Sequence, residues 1–131
     1  ADTDIAIIID TTTAGDTPNI EEKDCNVKLG GGVAITFMEG AGEGAITNKE
    51  LRDKLIGIAE QEKIKYQTDL TEGGWTDGYY TSIENGGIPT LVLSIPTRYL
   101  HSSSSVFNMK DVEACIDLIT KFLSYLDKDN T

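Results

Sequence analysis

The chain has a single histidine, His101, in the string Ile95-Pro96-Thr97-Arg98-Tyr99-Leu100-His101-Ser102, directly after the apolar run Pro89–Ile95. A strand that ends in proline and then presents Arg, Tyr, His and Ser puts reactive side chains at a sheet edge. Open α/β sheets keep their sites there. A second apolar run, Ile5–Ile9, ends in the same way in Asp10. Imidazole and carboxylate, each expected at the end of its own strand, are two ligand types that hydrolytic metal centres use. Each residue alone has a plainer role: Asp10 as a turn or N-cap carboxylate, His101 as an incidental loop residue. Their shared placement raises both as candidates.

The inventory of ligands falls short of a complete centre. A hydrolytic metal takes three protein ligands, and a carboxylate-bridged pair takes about five. With one His, the remainder falls to carboxylates or cysteines. Asp16, Asp24, Asp69, Glu72 and Asp77 occupy loop positions, but no HxxE, HExxH or DxDxDG spacing occurs. No Glu-Glu pair follows a buried strand to supply a general base.

The elements that must position these residues are legible from periodicity. Ile5–Ile9 reads as a strand buried on both faces, and Thr11–Gly32 as a long polar loop. Val33–Phe37 is a short strand. Asn48–Glu62 carries Leu51, Leu55, Ile58 and Ala59 at helical spacing, with Thr47 or Asn48 as N-cap. Lys65–Leu70 alternates as a strand, and Thr76–Asn85 is a short helix stopped by Gly86-Gly87. Pro89–Ile95 is the second buried strand. Lys110–Leu126 is an amphipathic helix on Val112, Cys115, Ile116, Ile119, Phe122, Leu123 and Leu126. This alternation predicts a layered α/β domain with a mixed or mostly parallel sheet flanked by helices.

Composition narrows the function classes. Eleven basic residues stand against 22 acidic ones, for a net charge of −11 and a pI near 4.3. Such a surface repels nucleic acid and anionic membranes, so neither is expected as a partner. No apolar stretch approaches the ~20 residues of a membrane span. Cys25 and Cys115, far apart and without CxxC spacing, fit reduced thiols in a cytoplasmic protein. The opening Ala-Asp-Thr-Asp has neither an initiator Met nor the makings of a signal peptide, so the chain is expected to be processed, trimmed or cut from something longer.

Two further readings belong to other classes. Thr12-Thr13-Ala14-Gly15-Asp16-Thr17 is similar to the hydroxyl-rich phosphate loop of flavodoxins, which predicts an FMN electron carrier. Such a loop should open a helix, whereas Pro18–Gly30 has weak helical periodicity. The other alternative is a non-catalytic binding or assembly module.

The strings Ile88-Pro89-Thr90, Ser94–Ser102 and Asp111-Val112-Glu113 resemble the C-terminal signature of a dinuclear metal aminopeptidase family. That family contains the glutamyl, lysyl and tetrahedral aminopeptidases, some labelled endoglucanase or cellulase. Asp10 with Thr11, Ala14, Gly15, Asp16, Thr17 and Pro18 resembles its strand-end Asp motif. Lys28-Leu29-Gly30 with Ala34-Ile35, Tyr66-Gln67 and Gly74–Asp77 match in order along the chain.

The resemblance implies that His101 binds one of two divalent ions (Zn or Co) and Asp10 the other, with a bridging carboxylate shared between them. Arg98, Tyr99, Thr76 and Asp77 would surround the substrate or orient the ligands. The implied substrate is a peptide, cut at its N-terminal residue by a metal-activated water with help from a glutamate. The implied partners are the remainder of the same polypeptide and further copies of it. The family's first metal His, bridging Asp and Glu pair lie upstream of the strand matching Ile5–Asp10, where this chain has only Ala1–Asp4. An inserted dimerisation domain is also missing, and Gly31, Val33 and Ser103 stand where Lys, Pro and Pro are usual. The chain is thus expected to be the C-terminal portion of the catalytic domain, inactive and weakly metal-binding alone.

Overall fold

The computed structural model describes residues 3–40, 44–71 and 73–129. In chain order the elements are β1 (Ala6–Thr13), β2 (Val33–Glu39), β3 (Ala45–Ile46), α1 (Lys49–Glu62), β4 (Tyr66–Thr71), α2 (Asp77–Ile83), β5 (Thr90–Arg98), β6 (Val106–Phe107) and α3 (Met109–Asp129). A single 3-10 turn, Glu84–Gly86, follows α2. The six strands form one mixed sheet in the order β1-β5-β2-β3, with β4 paired to β2 and β6 to β5. β1 runs parallel to β5 and β4 parallel to β2, while β5 and β2 are antiparallel.

One sheet face carries the hydrophobic core. Val33 and Ile35 of β2 and Leu91 and Leu93 of β5 pack against Leu51, Leu55 and Ala59 of α1 and Cys115, Leu118 and Phe122 of α3. Asn48 caps α1 by accepting a bond from the Leu51 N–H at 3.1 Å. On α3 the inward stripe is narrower than its composition suggests, since Ile116 and Leu123 are exposed. The helix packs through one face only, and these two side chains fall outside it.

β1 is not buried on both faces as its apolar run suggests: it pairs with β5 on one side at the edge of the sheet, and Ile9 is exposed. The strand ends differ from expectation as well. β1 does not stop at Asp10, nor β5 at Ile95. Their parallel ladder runs on through Asp10↔Ser94 and Thr12↔Pro96 to Thr13↔Thr97, and Ala14 N–H then donates to Thr97 O at 2.9 Å. Threonines are good strand formers, and pairing with a neighbouring strand outweighs the turn preference of Asp. The polar segment after β1 therefore begins at Ala14, not Thr11. Pro96 is tolerated inside β5 because its nitrogen points away from β1. On that other side, pairing with β2 ends at Ser94 and pairing with β6 begins at Thr97.

The second sheet face is polar. On β5, Val92, Ser94 and Pro96 alternate with the core-facing Leu91, Leu93 and Ile95. On β2, Thr36 likewise opposes Ile35. A register shift between Thr36 and Met38 then inserts Phe37 as a bulge. That extra residue reverses the alternation, so Glu39 pairs with Thr71 and comes to the polar face beside α2.

Candidate functional site

A cleft of about 410 Å3 opens on the polar face, built from the C-terminal halves of β1 and β4, the 73–76 turn and the turn after β5. Asp10, Asp69, Trp75, Thr76, Ser94 and His101 all line it. The fold thus brings Asp10 and His101 to one site from distant parts of the chain. Asp10 is half-buried, and its Oδ1 accepts the Thr11 N–H at 2.7 Å, which fixes the carboxylate against the strand. His101 is exposed in the turn beyond β5, with a left-handed φ of 61°. Tyr99, two residues earlier, has φ 59°. Both residues lie in the left-handed region that non-glycine residues adopt infrequently, as the tight turn after β5 requires.

Asp69, one of the carboxylates counted above as available ligands, lies inside β4 and not in a loop, and together with Ser94, which the sequence did not flag, it forms the cleft floor. Asp69 is 4% exposed and accepts the Thr71 hydroxyl at 3.0 Å. Burial pushes its carboxyl above the ordinary carboxylate range, opposed by hydroxyls of Thr12, Thr71 and Thr36. Ser94 is 1% exposed, and its Oγ has no hydrogen-bond partner among the described residues. A polar residue inside the apolar run Leu91–Ile95 was the available signal for it.

Glu39 is the other residue that the sequence did not flag. Its buried carboxylate accepts the Thr76 N–H at 3.1 Å and the Thr76 hydroxyl at 2.9 Å. The same hydroxyl accepts the Gly78 N–H at 3.0 Å, capping α2. Thr76 is therefore both N-cap and anchor, and it lines the cleft. Asp77, the first residue of α2, is exposed and does not line the cleft.

Arg98 and Tyr99 are placed elsewhere. Arg98 makes a bidentate pair with Asp16, at 2.9 Å from Nε and 2.6 Å from Nη2. That guanidinium holds the Asp16 carboxyl below its usual range. The pair ties the end of β5 to the segment after β1, whose Leu29 N–H also reaches Asp16. Tyr99 is exposed, and neither residue lines the cleft. Other matched positions are structural. Gln67 bonds Lys28 through both its carbonyl and amide groups, and Asp111 accepts the N–H groups of Gly30 and Gly32, each at 2.8 Å.

The donor chemistry of Asp10 and His101 suits a borderline divalent ion such as Zn or Co. The partnerless Ser94 hydroxyl, register partner of Asp10, marks the same spot as one where a polar occupant is wanting. Two donors do not close a coordination shell, and no group of three or more His, Cys, Asp or Glu suited to a metal exists among the described residues. A flavodoxin-type phosphate loop is not formed. Thr12 and Thr13 lie within β1, and among the described residues the next helix begins at Lys49.

A model of the M42 glutamyl aminopeptidase family matches residues 1–118. The chain is 36% identical over 118 residues to a candidate aminopeptidase of Acetivibrio thermocellus, covering 90% of this chain and 34% of the relative. Among solved structures, an aminopeptidase of the archaeon Desulfurococcus kamchatkensis superposes with a TM-score of 0.87 at 33% identity, over 91% of this chain and 33% of that one. The TET1 peptidase of Pyrococcus horikoshii, described as assembling into a tetrahedron or a large octahedral shell, gives 0.66 at 28% identity over 88% and 32%. The chain thus spans about a third of the length of these relatives.

Proposed function

We infer that this chain, which belongs to the M42 glutamyl aminopeptidase family, supplies one part of the active site of a two-metal aminopeptidase. One observation carries the reading. Asp10 and His101, an acid and an imidazole from opposite ends of the sequence, line a single cleft on the polar face of the sheet. In this reading Asp10 holds one divalent ion, His101 the other, and the ions are Zn or Co. The bridging carboxylate, the remaining ligands and the general-base glutamate come from outside the chain.

The bound ions supply Lewis acidity, polarising the peptide carbonyl and acidifying the attacking water. The chain's own residues position the reactants. The Thr11 N–H fixes one oxygen of Asp10, which keeps its other oxygen available as a ligand. Thr76, anchored by Glu39, sets the wall beside which the peptide lies. Arg98 acts at a distance by holding the end of β5, and so the approach to His101, through Asp16. Tyr99 and Asp77 are left for contacts with substrate or with the remainder of the polypeptide.

The protein is proposed to be cytoplasmic, in keeping with free Cys25 and Cys115, and to form homo-oligomers as its TET1 neighbour does. No described helix is long and apolar enough to cross a membrane. The test uses the complete polypeptide. Asp10→Ala and His101→Ala are each expected to lower bound metal from two ions per protomer towards one, measured by elemental analysis. Each should also abolish hydrolysis of aminoacyl-nitroanilides. Unchanged metal content in both variants would overturn the assignment.

A further inference from the structure

β1 is the last strand on its side of the sheet, and among the described residues β5 is its only strand neighbour. Its even-numbered residues turn towards β5, since the Ala6 N–H donates to Pro89 O and the Ala14 N–H to Thr97 O, each at 2.9 Å. The N–H and C=O groups of its odd-numbered residues therefore point away from the sheet. Two of these are met locally, the Thr11 N–H by Asp10 Oδ1 at 2.7 Å and Thr13 O by the Cys25 thiol at 3.3 Å. Ile7 and Ile9 face outward on a stretch with no bulge, proline or lysine to blunt it. β4, the other long strand with a single strand neighbour, is treated differently: the Asn26 amide donates to Thr68 O at 3.1 Å. A flat, β-branched edge is one that natural sheets cover.

The helix layer is open on the same side. α1 lies over β2 and β4, where Arg52 covers the Phe37 ring at 4.2 Å and the Tyr66 hydroxyl donates to Glu60 at 3.2 Å. α3 flanks α1 through Lys121, paired with Glu62 at 2.9 Å, and through Tyr125, whose ring faces Lys54 at 5.6 Å. At about 3.6 residues per turn, Ile116, Ile119 and Leu123 fall on the opposite flank of the buried stripe formed by Cys115, Leu118 and Phe122. That flank is turned away from α1 and towards the β1 side of the sheet. On it Ile116 is 57% exposed and Leu123 51%. Ile9, 60% exposed, shares a sheet face with Ile5 and Ile7, which pack against the core under the helices. A strand edge and a helix flank, both apolar and both open along one side, are the cut face of a layered core.

We propose that the outer edge of β1 and the Ile116–Leu123 flank of α3 form one docking surface, occupied by a strand and a helix from a part of the same polypeptide outside residues 1–131. The strand pairs with β1 through Ile7 and Ile9, and the helix lies beside α3 and covers Ile9. This chain spans about a third of the relatives it matches, which leaves ample length for such a unit. A second copy is the poorer occupant, because each carries a net charge of −11 and like charges oppose the approach. The proposal deepens the reading given above, in which part of the site comes from outside the chain. Ile9 directly precedes Asp10, so the added strand runs up to the cleft and builds its missing wall.

Hydrogen exchange of the complete polypeptide tests the strand edge without any substitution. The Ile7 and Ile9 amides are expected to exchange as slowly as those of Ile8 and Asp10, which face β5, and roughly 100-fold more slowly than an open edge allows. The helix flank is tested with Ile116 or Leu123 replaced by benzoylphenylalanine, in a mixture of unlabelled and isotope-labelled copies of the complete polypeptide. Photo-crosslinks read by mass spectrometry are expected within one copy, to a segment outside residues 1–131. Fast exchange at Ile7 and Ile9 overturns the proposal, as do crosslinks that join separate copies or stay within residues 1–131. None of these readouts depends on bound metal or turnover, so the two-metal reading and the docking surface can fail separately.

Discussion

Asp69 is the residue whose chemistry is most shaped by its surroundings. It sits in β4 as an ordinary polar residue of an alternating strand, yet it is buried at the cleft floor among threonine hydroxyls. Burial disfavours its charged form, so its folded pKa lies above the unfolded value of 3.8. Between those two values the folded state holds more protons than the unfolded one, and stability falls as pH rises. At neutral pH the ionised Asp69 is therefore a net cost, absent once the solution is acid enough to protonate both states. Asp69→Asn is expected to raise the melting temperature at neutral pH and to leave it unchanged once the solution is acid enough to protonate both states. Thermal unfolding across pH checks this, and a destabilised variant at neutral pH would contradict it.

Single elements gain their roles from small irregularities. The Phe37 bulge in β2 turns Glu39 from the core face to the cleft face, where it can anchor Thr76 and α2. The sequence Val33–Glu39 gives no sign of this, because a bulge is decided by the partner strand's register. The glycine run Gly30–Gly32 shows the reverse. It was legible as irregular backbone, but its partner was not. Asp111, fully buried in the first turn of α3, accepts the N–H groups of Gly30 and Gly32. Asp111→Ala strands both donors, and the expected loss is about 2 kcal/mol of stability. Denaturant unfolding measures it, and a loss near zero would show the loop to be held otherwise. Helix α1 needed no such help. Asn48 as its cap and Leu51, Leu55 and Ala59 as its buried stripe follow from spacing and local chemistry alone.

At the scale of the molecule, the chain spans about a third of the length of the relatives it matches. In the proposed reading, Asp10 and His101 would be two of the roughly five donors that a bridged metal pair requires. The isolated chain of 131 residues is therefore expected to bind Zn or Co weakly and to show no appreciable hydrolysis of an aminoacyl-nitroanilide. Calorimetry and a colorimetric assay test this, and robust turnover by the chain alone would refute it. By itself the sequence determined the α/β class, the three main helices, the buried strand β5 and the family, because these rest on local periodicity and on contiguous strings; it misjudged β1, whose apolar run lies at the sheet edge. Only the tertiary structure decided that β1 and β5 run past Asp10 and Pro96, that Asp10 and His101 share a cleft, and that Arg98 is committed to Asp16. It also set Asp69, Ser94, Glu39 and Trp75 around that cleft. Those outcomes depend on which strand lies beside which and in what register, and such long-range pairing leaves no mark at any one position along the chain.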